Sequence, residues 1–242
     1  MAEHDLEQLV GALRGGSVEI LADRSVRDLD DTVRRLLRVA IAMVPGALGA
    51  GLIAWEEGAA RSLGALPGGI GHLDRLQVEG GGPAADVVDD PPSLGAVSAD
   101  LAGEDHERWP RLAAAAGDAG YPAAMAVHLA VPDHVRVLTL YGAGTFTDRD
   151  RTVAALYGLQ AAAALHGAEH VAQLGRALES RDVIGQAKGV LRERFGIDDG
   201  AAFEMLVSSS QSTNIKLADV ARWLLEETAV RGGSDATRRP DG

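Results

Sequence analysis

The chain contains no cysteine among its 242 residues. That excludes a disulfide framework, thiolate chemistry and any zinc–sulfur site. It fits a reducing cytoplasm, which is the expected location. Aromatic residues make up only 4% of the chain, too few for an extended platform on which single-stranded bases could stack. No window approaches the roughly 18 consecutive apolar residues of a membrane span, so no membrane partner is expected. The N-terminal MAEHDLEQLV lacks a basic region followed by an apolar stretch, so no secretion signal is expected either. Net positive charge is also missing. A formal net charge of −12 argues against a protein that coats phosphates indiscriminately, and no DNA partner is expected.

Catalytic and metal signatures are sparse as well. The glycines at 68, 69, 71 and 80 to 82 lack the Lys-Ser/Thr of a P-loop and the strand-to-helix setting of a dinucleotide site. Asp89-Asp90 and Asp148 with Asp150 have the positions of helix caps and turn residues. His166 and His170 stand four residues apart on a helical stretch, a spacing that can hold a metal, but only Glu169 is adjacent and no third ligand is placed. An exposed helix face is the plainer reading. The expectation is a protein that is not an enzyme, with no cofactor and no metal.

What is present is 46% apolar residues in a length that suits one large or two ordinary domains. Residues 1–27 form an N-terminal arm, with a weak amphipathic stretch at Leu6, Leu9, Val10 and Leu13. From Asp28 to Val44 apolar residues recur at helical spacing, and Pro45-Gly46 ends the pattern. Leu48 to Glu56 and Ala59 to Leu66 read as paired strands around a Glu57-Gly58 turn. Leu73, Leu76 and Val78 mark a short helix that breaks at Glu79-Gly80-Gly81-Gly82-Pro83. Ala84 to Asp90 is a further helical turn, and a short strand lies around Leu94 to Ser98. Glu104 to Ala119 reads as a helix carrying Trp109. Ala123 to Val131 and Val135 to Tyr141 are central antiparallel strands joined through Pro132-Asp133. The order is that of an α+β fold, an antiparallel sheet covered by helices.

Asp148 to about Ser180 contains no proline and reads as one helix. Val153, Gln160, Gly167 and Leu174 repeat every seven residues, and so do Tyr157, Ala164, Val171 and Leu178, offset by four. This is a heptad seam, strongest at Val171, Leu174 and Leu178, and it predicts a parallel homodimer. A single-chain helix packed on the sheet is the alternative.

The following stretch, Arg181 to Leu225, holds three short amphipathic helices. Val183, Ile184, Ala187, Val190, Leu191 and Phe195 share one face at 100° per residue, and Arg181, Lys188 and Arg192 share the opposite one. Gly185 and Gly189 flank this basic strip. A glycine inside a helix costs about 1 kcal/mol relative to alanine, so either a neighbouring helix packs closely there or a phosphate backbone approaches. Asp198 and Asp199 start a second helix, before Ala202, Phe203, Leu206 and Val207. The polar run Ser208 to Asn214 interrupts the pattern, which resumes at Leu217, Val220, Ala221, Leu224 and Leu225. From Arg176 to Arg231 the segment carries 8 Lys/Arg against 9 Asp/Glu. An RNA contact would therefore be a local patch reading shape and loop bases.

Ile184, Gln186-Ala187-Lys188-Gly189, Ala202-Phe203, Leu206, Ser210-Gln211, Asn214, Lys216-Leu217 and Val220-Ala221 resemble, in order, an ANTAR domain, the RNA-binding output module of antitermination regulators. The resemblance implies a dimer that binds paired hairpins of nascent RNA. It implies RNA-facing residues at Arg181, Gln186, Lys188, Gly189, Arg192, Gln211, Asn214 and Lys216. Val207, Ile215 and Ala218 stand where relatives often carry basic residues. Upstream, Leu76-Gln77, Glu79-Gly80 with the delayed Pro83, Arg108-Trp109-Pro110, and Phe146-Thr147 before Asp150 resemble a GAF domain of the actinobacterial kind that often precedes ANTAR. Here two extra glycines enlarge the turn, and Ala84 stands where cysteine is common, so any role of that cysteine is absent.

The expected organisation is a sensor domain over 28–147, a connecting coiled-coil helix over 148–180, an RNA-binding domain over 181–231 and a disordered tail over 232–242. The expected function is signal-responsive transcription antitermination through hairpin RNA in leader transcripts, with an unknown small-molecule or protein signal at the sensor. The alternatives are a signalling module whose last helices bind protein, and a ligand-binding GAF protein with a vestigial output domain.

Overall fold

The computed structural model describes residues 29–56, 59–93, 95–131 and 134–236. The expected arm at 1–27, the turn residues Glu57-Gly58 and Pro132-Asp133, Leu94, and 237–242 of the expected tail lie outside them. The described chain divides into two units, at 1–171 and 172–242.

The first unit opens with α1 (Leu29–Met43), whose Val33, Leu36, Leu37 and Ala40 form a buried stripe. Asp30 and Asp31 occupy its first turn, where the helix dipole favours carboxylates. Five antiparallel strands follow: β1 (Ala47–Glu56), β2 (Ala59–Leu66), β3 (Ala96–Asp100), β4 (Ala123–Val131) and β5 (His134–Gly142), in the spatial order β2-β1-β5-β4-β3. Between them lie α2 (Ile70–Gly80), α3 (Pro83–Asp89) and α4 (Pro110–Asp118).

The central strands are buried on both faces, and strict alternation sorts their side chains. Leu52, Met125, Val127, Leu138 and Leu140 face α1 and the start of α5 (Asp148–Phe195). Ala124 and Tyr141 face α2 and α4, while Ile53, Ala126 and Val137 face α3. The register Leu52↔Leu138↔Val127 carries this alternation across three strands. The observed architecture is the expected α+β one, an antiparallel sheet covered by helices.

Local differences from expectation have simple causes. The helix expected over Glu104 to Ala119 begins only at Pro110, because proline at the first helical position lacks the N–H that a longer helix would need; turns occupy 101–108 and Trp109 is the N-cap. Asp148 to Phe195 is a single helix of 48 residues, so the expected connecting helix and first output helix are continuous. Its start is a reciprocal cap. Asp150 Oδ2 accepts from Thr147 N–H and Oγ1, at 2.8 and 2.7 Å, and Asp150 N–H donates to Thr147 Oγ1.

The expected seam needs correction at its upper end. Val153 and Tyr157 lie in the unit's own core, and the Tyr157 hydroxyl donates to the Leu36 carbonyl at 2.7 Å. Ala164 packs against the same core, and Gln160 is partly buried, with Oε1 enclosed and unbonded. The sheet and α1 use this face, so these residues are not open to a second chain. Val171, Leu174 and Leu178 are exposed.

One buried charge ties the layers together. Arg136 of β5 is 2% exposed; its guanidinium meets Glu169 of α5 at 3.0 Å and Glu56 of β1 at 2.9 Å. Glu169, the carboxylate adjacent to His166 and His170, serves this cation. Removing one partner of a buried ion pair strands the other charge, at a cost of roughly 3 kcal/mol. Glu169→Ala leaves Arg136 with Glu56 alone and is expected to destabilise the unit by up to about that much in urea unfolding. Glu56→Ala should cost less, because Glu56 is 43% exposed at its side chain. Equal, small losses for both would show that the guanidinium is solvated when free.

Candidate nucleic-acid interface

The second unit is a small helical bundle. The end of α5 packs against α6 (Asp199–Thr213) and α7 (Leu217–Ala236). The core is Ala187 and Leu191 of α5, Ala202 and Leu206 of α6, and Val220 and Ala221 of α7, with Ile184, Leu217, Leu224 and Leu225 around it. Three fully buried alanines at the centre allow close helix approach. Gly196 ends α5 in the left-handed region, φ 64, and its N–H donates to the Arg192 carbonyl at 2.9 Å. Asp198 caps α6, accepting from Ala201 N–H at 2.8 Å.

Two apolar residues depart from expectation. Phe195 is 54% and Phe203 42% exposed. Phe195 is the last residue of α5, beyond the reach of the bundle, and Phe203 lies under the Lys188 ammonium at 5.9 Å from its ring centre. The polar run from Ser208 is helical as far as Thr213, and two of its hydroxyls bond back within the helix: Ser212 and Thr213 donate to the Ser209 carbonyl. Asn214 then stops α6 in the left-handed region, φ 54. α7 continues to Ala236, into the expected tail.

The proposed RNA-facing residues fall into two groups. On α5, Arg181, Gln186, Gly189 and Arg192 are exposed, while Lys188 is partly buried. Lys188 donates to Asp199 Oδ2 at 2.6 Å, and Arg192 lies 3.9 Å from Asp199 Oδ1. Two of the three cations of the basic strip thus share one carboxylate of the same chain. Arg181 has no ion-pair partner among the described residues. Beyond the helix itself, nothing among the described residues comes within 4 Å of where a Cβ would stand at Gly185 or Gly189. No other helix of the described chain packs against these glycines, and this side of α5 is open.

The second group, Gln211, Asn214 and Lys216, is exposed at the turn between α6 and α7. Lys188 meets α6 at its first residue and Asn214 caps its end, so the length of α6, about 20 Å at 1.5 Å per residue, separates the groups. The structure does not join them into one patch. Trp223 on α7 escaped the sequence reading. It is 62% exposed, and the adjoining leucines, which make a smooth helical core pattern, hid it.

The first unit holds a buried polar chain that the sequence reading also missed. Asp74 of α2 is 1% exposed, and its Oδ1 accepts from Thr139 Oγ1 at 2.7 Å and from the Tyr141 hydroxyl at 2.8 Å. Gln77 donates to the same hydroxyl at 2.6 Å and accepts from Ala84 N–H at 2.7 Å. Asp74 Oδ2 has no partner. It lies over Gly51, where a Cβ would collide with it. The available signal was an Asp on the buried face of α2, beside Ile70, Leu73 and Gln77.

The first unit is an α+β fold and the second a small helical bundle. Residues 172–225 match the family model of the ANTAR domain; this segment is an ANTAR domain, a regulatory RNA-binding module of antitermination proteins rather than a catalytic one. Among solved structures, the chain is similar to the Stigmatella aurantiaca phytochrome photosensory core module, at 11% identity and a TM-score of 0.51 over 85% of this chain and 45% of that one. It is also similar to a bacteriophytochrome from the photosynthetic bacterium R. palustris, at 9% identity and a TM-score of 0.50 over 84% and 46%. A GAF domain/HD domain protein from Geobacter sulfurreducens shares 13% identity at a TM-score of 0.39, over 60% and 95%. The chain spans under half the length of the two phytochrome chains, and at such identities the likeness is one of fold alone. No curated protein matches the chain.

Burial, the largest effect, raises the Asp74 carboxyl from 3.8 to about 6, against the pull of its hydrogen bonds from Thr139 and Tyr141. Burial also raises the Tyr141 phenol well above its ordinary value, with the Asp74 charge adding to it. The folded value for Asp74 lies above the unfolded one, so the folded state binds more protons between about pH 4 and 6. The associated stability is fully present below the unfolded pKa and is lost as pH rises through about 6, roughly 3 kcal/mol in all. From about pH 5 to 7.5 the wild type is expected to lose roughly 1–2 kcal/mol that Asp74→Asn does not lose. Parallel pH profiles of denaturant midpoints for the two proteins would remove Asp74 as the cause.

Proposed function

We propose that the protein is a signal-responsive antitermination regulator that binds hairpin RNA in a nascent leader transcript as a homodimer, with the first unit as sensor. The ANTAR match over residues 172–225 carries the reading. Support from geometry comes from the open, glycine-flanked side of α5 and the exposed polar turn after α6. Arg181, Lys188, Arg192 and Lys216 supply charge to phosphate, and Gln211 and Asn214 supply amides to loop bases. The groups lie far enough apart to engage different parts of one hairpin.

The dimer contact is placed on the exposed apolar residues of α5. Leu156, Leu159, Val171, Leu174 and Leu178 are all exposed, Leu159 and Leu178 by more than 60%. With Ala163 and Gly167, also exposed, they recur every three or four residues. The mean spacing of about 3.7 runs nearly straight along a helix, where a 3.5 repeat would wind left-handed. Leu156 and Leu159 thus take the places first given to Val153 and Tyr157. Burying each such leucine contributes about 1.5–3 kcal/mol.

A second reading has one observation in its favour. Trp223 is flanked on α7 by Asp219, which Arg222 pairs at 2.7 Å, and by Glu226, whose carboxylate repels phosphate and suits a basic protein segment.

In gel shifts with a double-hairpin RNA, Lys188→Ala with Arg192→Ala is expected to weaken binding at least tenfold and to reduce its salt dependence. Asp199→Asn, which frees both cations, should strengthen binding several-fold. Unchanged affinity in both variants would take the α5 strip out of the site. In sedimentation equilibrium, wild type is expected to be dimeric at tens of micromolar, and Leu174→Glu with Leu178→Glu monomeric. A monomeric wild type would dispose of the dimer.

A further inference from the structure

A cleft of about 670 Å³ opens between β2 and α2 of the first unit, a size within the range of small-molecule sites. Its surfaces are chemically distinct. Ile53, Ala65 and Val78 make an apolar wall, Asp74 contributes from α2, and Arg61 and Arg75 are exposed at the mouth.

The Asp74 carboxylate is the unusual component. Buried polar atoms are nearly always hydrogen-bonded, and an exception calls for an explanation. Oδ1 accepts two hydrogen bonds and Oδ2 none. Any side chain at position 51 would collide with that oxygen. If the carboxylate served only to hold α2 on the sheet, the bonds to Thr139 and Tyr141 would suffice, and an amide would do as well. An unpaired buried carboxylate oxygen is best satisfied by a cationic N–H donor, because the opposite charge offsets the cost of burial. Neither arginine of the mouth serves this purpose. Arg61 lies 3.9 Å from Glu56, and Arg75 has no ion-pair partner among the described residues. Arg75 is left to meet an anion, Arg61 meets one by sharing it with Glu56, and Glu79 stands beside them as the second carboxylate of the lining after Asp74.

We propose that this cleft binds a small zwitterion, whose cationic N–H head bonds Asp74 Oδ2 and whose carboxylate or phosphate meets Arg61 and Arg75 across the apolar wall. The proposal rests on the reading of the first unit as a sensor, and gives that sensor its ligand class.

The test uses the full chain and three aromatic probes in isothermal titration. 4-Amidinobenzoate carries both charges, benzamidine only the cation and benzoate only the anion. 4-Amidinobenzoate is expected to bind at least tenfold more tightly than either of the others. Asp74→Asn should reduce it to the level of benzoate, and Arg75→Ala to the level of benzamidine. Ser62→Trp, a substitution at an exposed position of the lining, should block the cleft and abolish binding while the melting temperature holds. It keeps the test decisive if Asp74→Asn folds poorly. No binding of any probe at millimolar concentration, equal binding of all three, or full binding by a folded Asp74→Asn or Ser62→Trp would overturn the proposal. The titrations contain no RNA and the gel shifts no probe, so failure of the RNA reading leaves this result legible, and the converse holds.

Discussion

Residues 148–195 form one uninterrupted helix, and the demands on that helix shape both units. Its first part must present Val153, Ala154, Tyr157, Ala161 and Leu165 to the sheet and α1. Its last part must present Ala187 and Leu191 to α6 and α7. A helix has only about 360° of surface to distribute, at 100° per residue. What the two cores leave over is the exposed leucine line and, near the end, the side bearing Arg181, Gly185, Gly189 and Arg192. The surfaces proposed for a second chain and for RNA are thus what remains once two cores have been served.

This division explains why part of the organisation was legible in the residues and part was not. Strand alternation in β4 and β5, the cap at Asp198 and the motif string from Ile184 to Ala221 are local patterns, and local patterns are written in the chain. Of the expected seam, only the lower half lies on the exposed face. Val153 and Tyr157 satisfy a heptad as well as Leu156 and Leu159 satisfy the outer face, and periodicity alone does not say which apolar residues a sheet has already claimed. Asp74 and Arg136 were missed for a related reason. Each is explained by partners far along the chain, Thr139 and Tyr141 in one case and Glu56 and Glu169 in the other. The basic strip was visible, but its pairing with Asp199 depends on the Gly196 turn that brings α6 back against α5.

The two polar centres of the first unit differ in kind. Arg136 is a satisfied charge, with carboxylates on either side, and its role is to hold layers together. Asp74 is an incompletely satisfied one beside open space. Buried charge without a partner is expensive, and a fold that retains it beside a cleft stores a preference for whatever completes it. The same contrast appears in the second unit, where Lys188 is engaged and Arg181 is not.

Asp199 has a consequence for how the molecule meets a polyanion. Its carboxylate already occupies, beside Lys188, the station that a phosphate oxygen would take. Association would then be an exchange of anions, with an internal surrogate giving way to an external one. Such an exchange liberates fewer solution ions than the number of arginines and lysines suggests, because one counterion is tethered and has nowhere to diffuse. The surrogate also screens against weak, sequence-blind attraction, since only a polyanion that brings further contacts can displace it. A strongly anionic protein could in this way keep a small cationic surface quiet until a shaped ligand arrives.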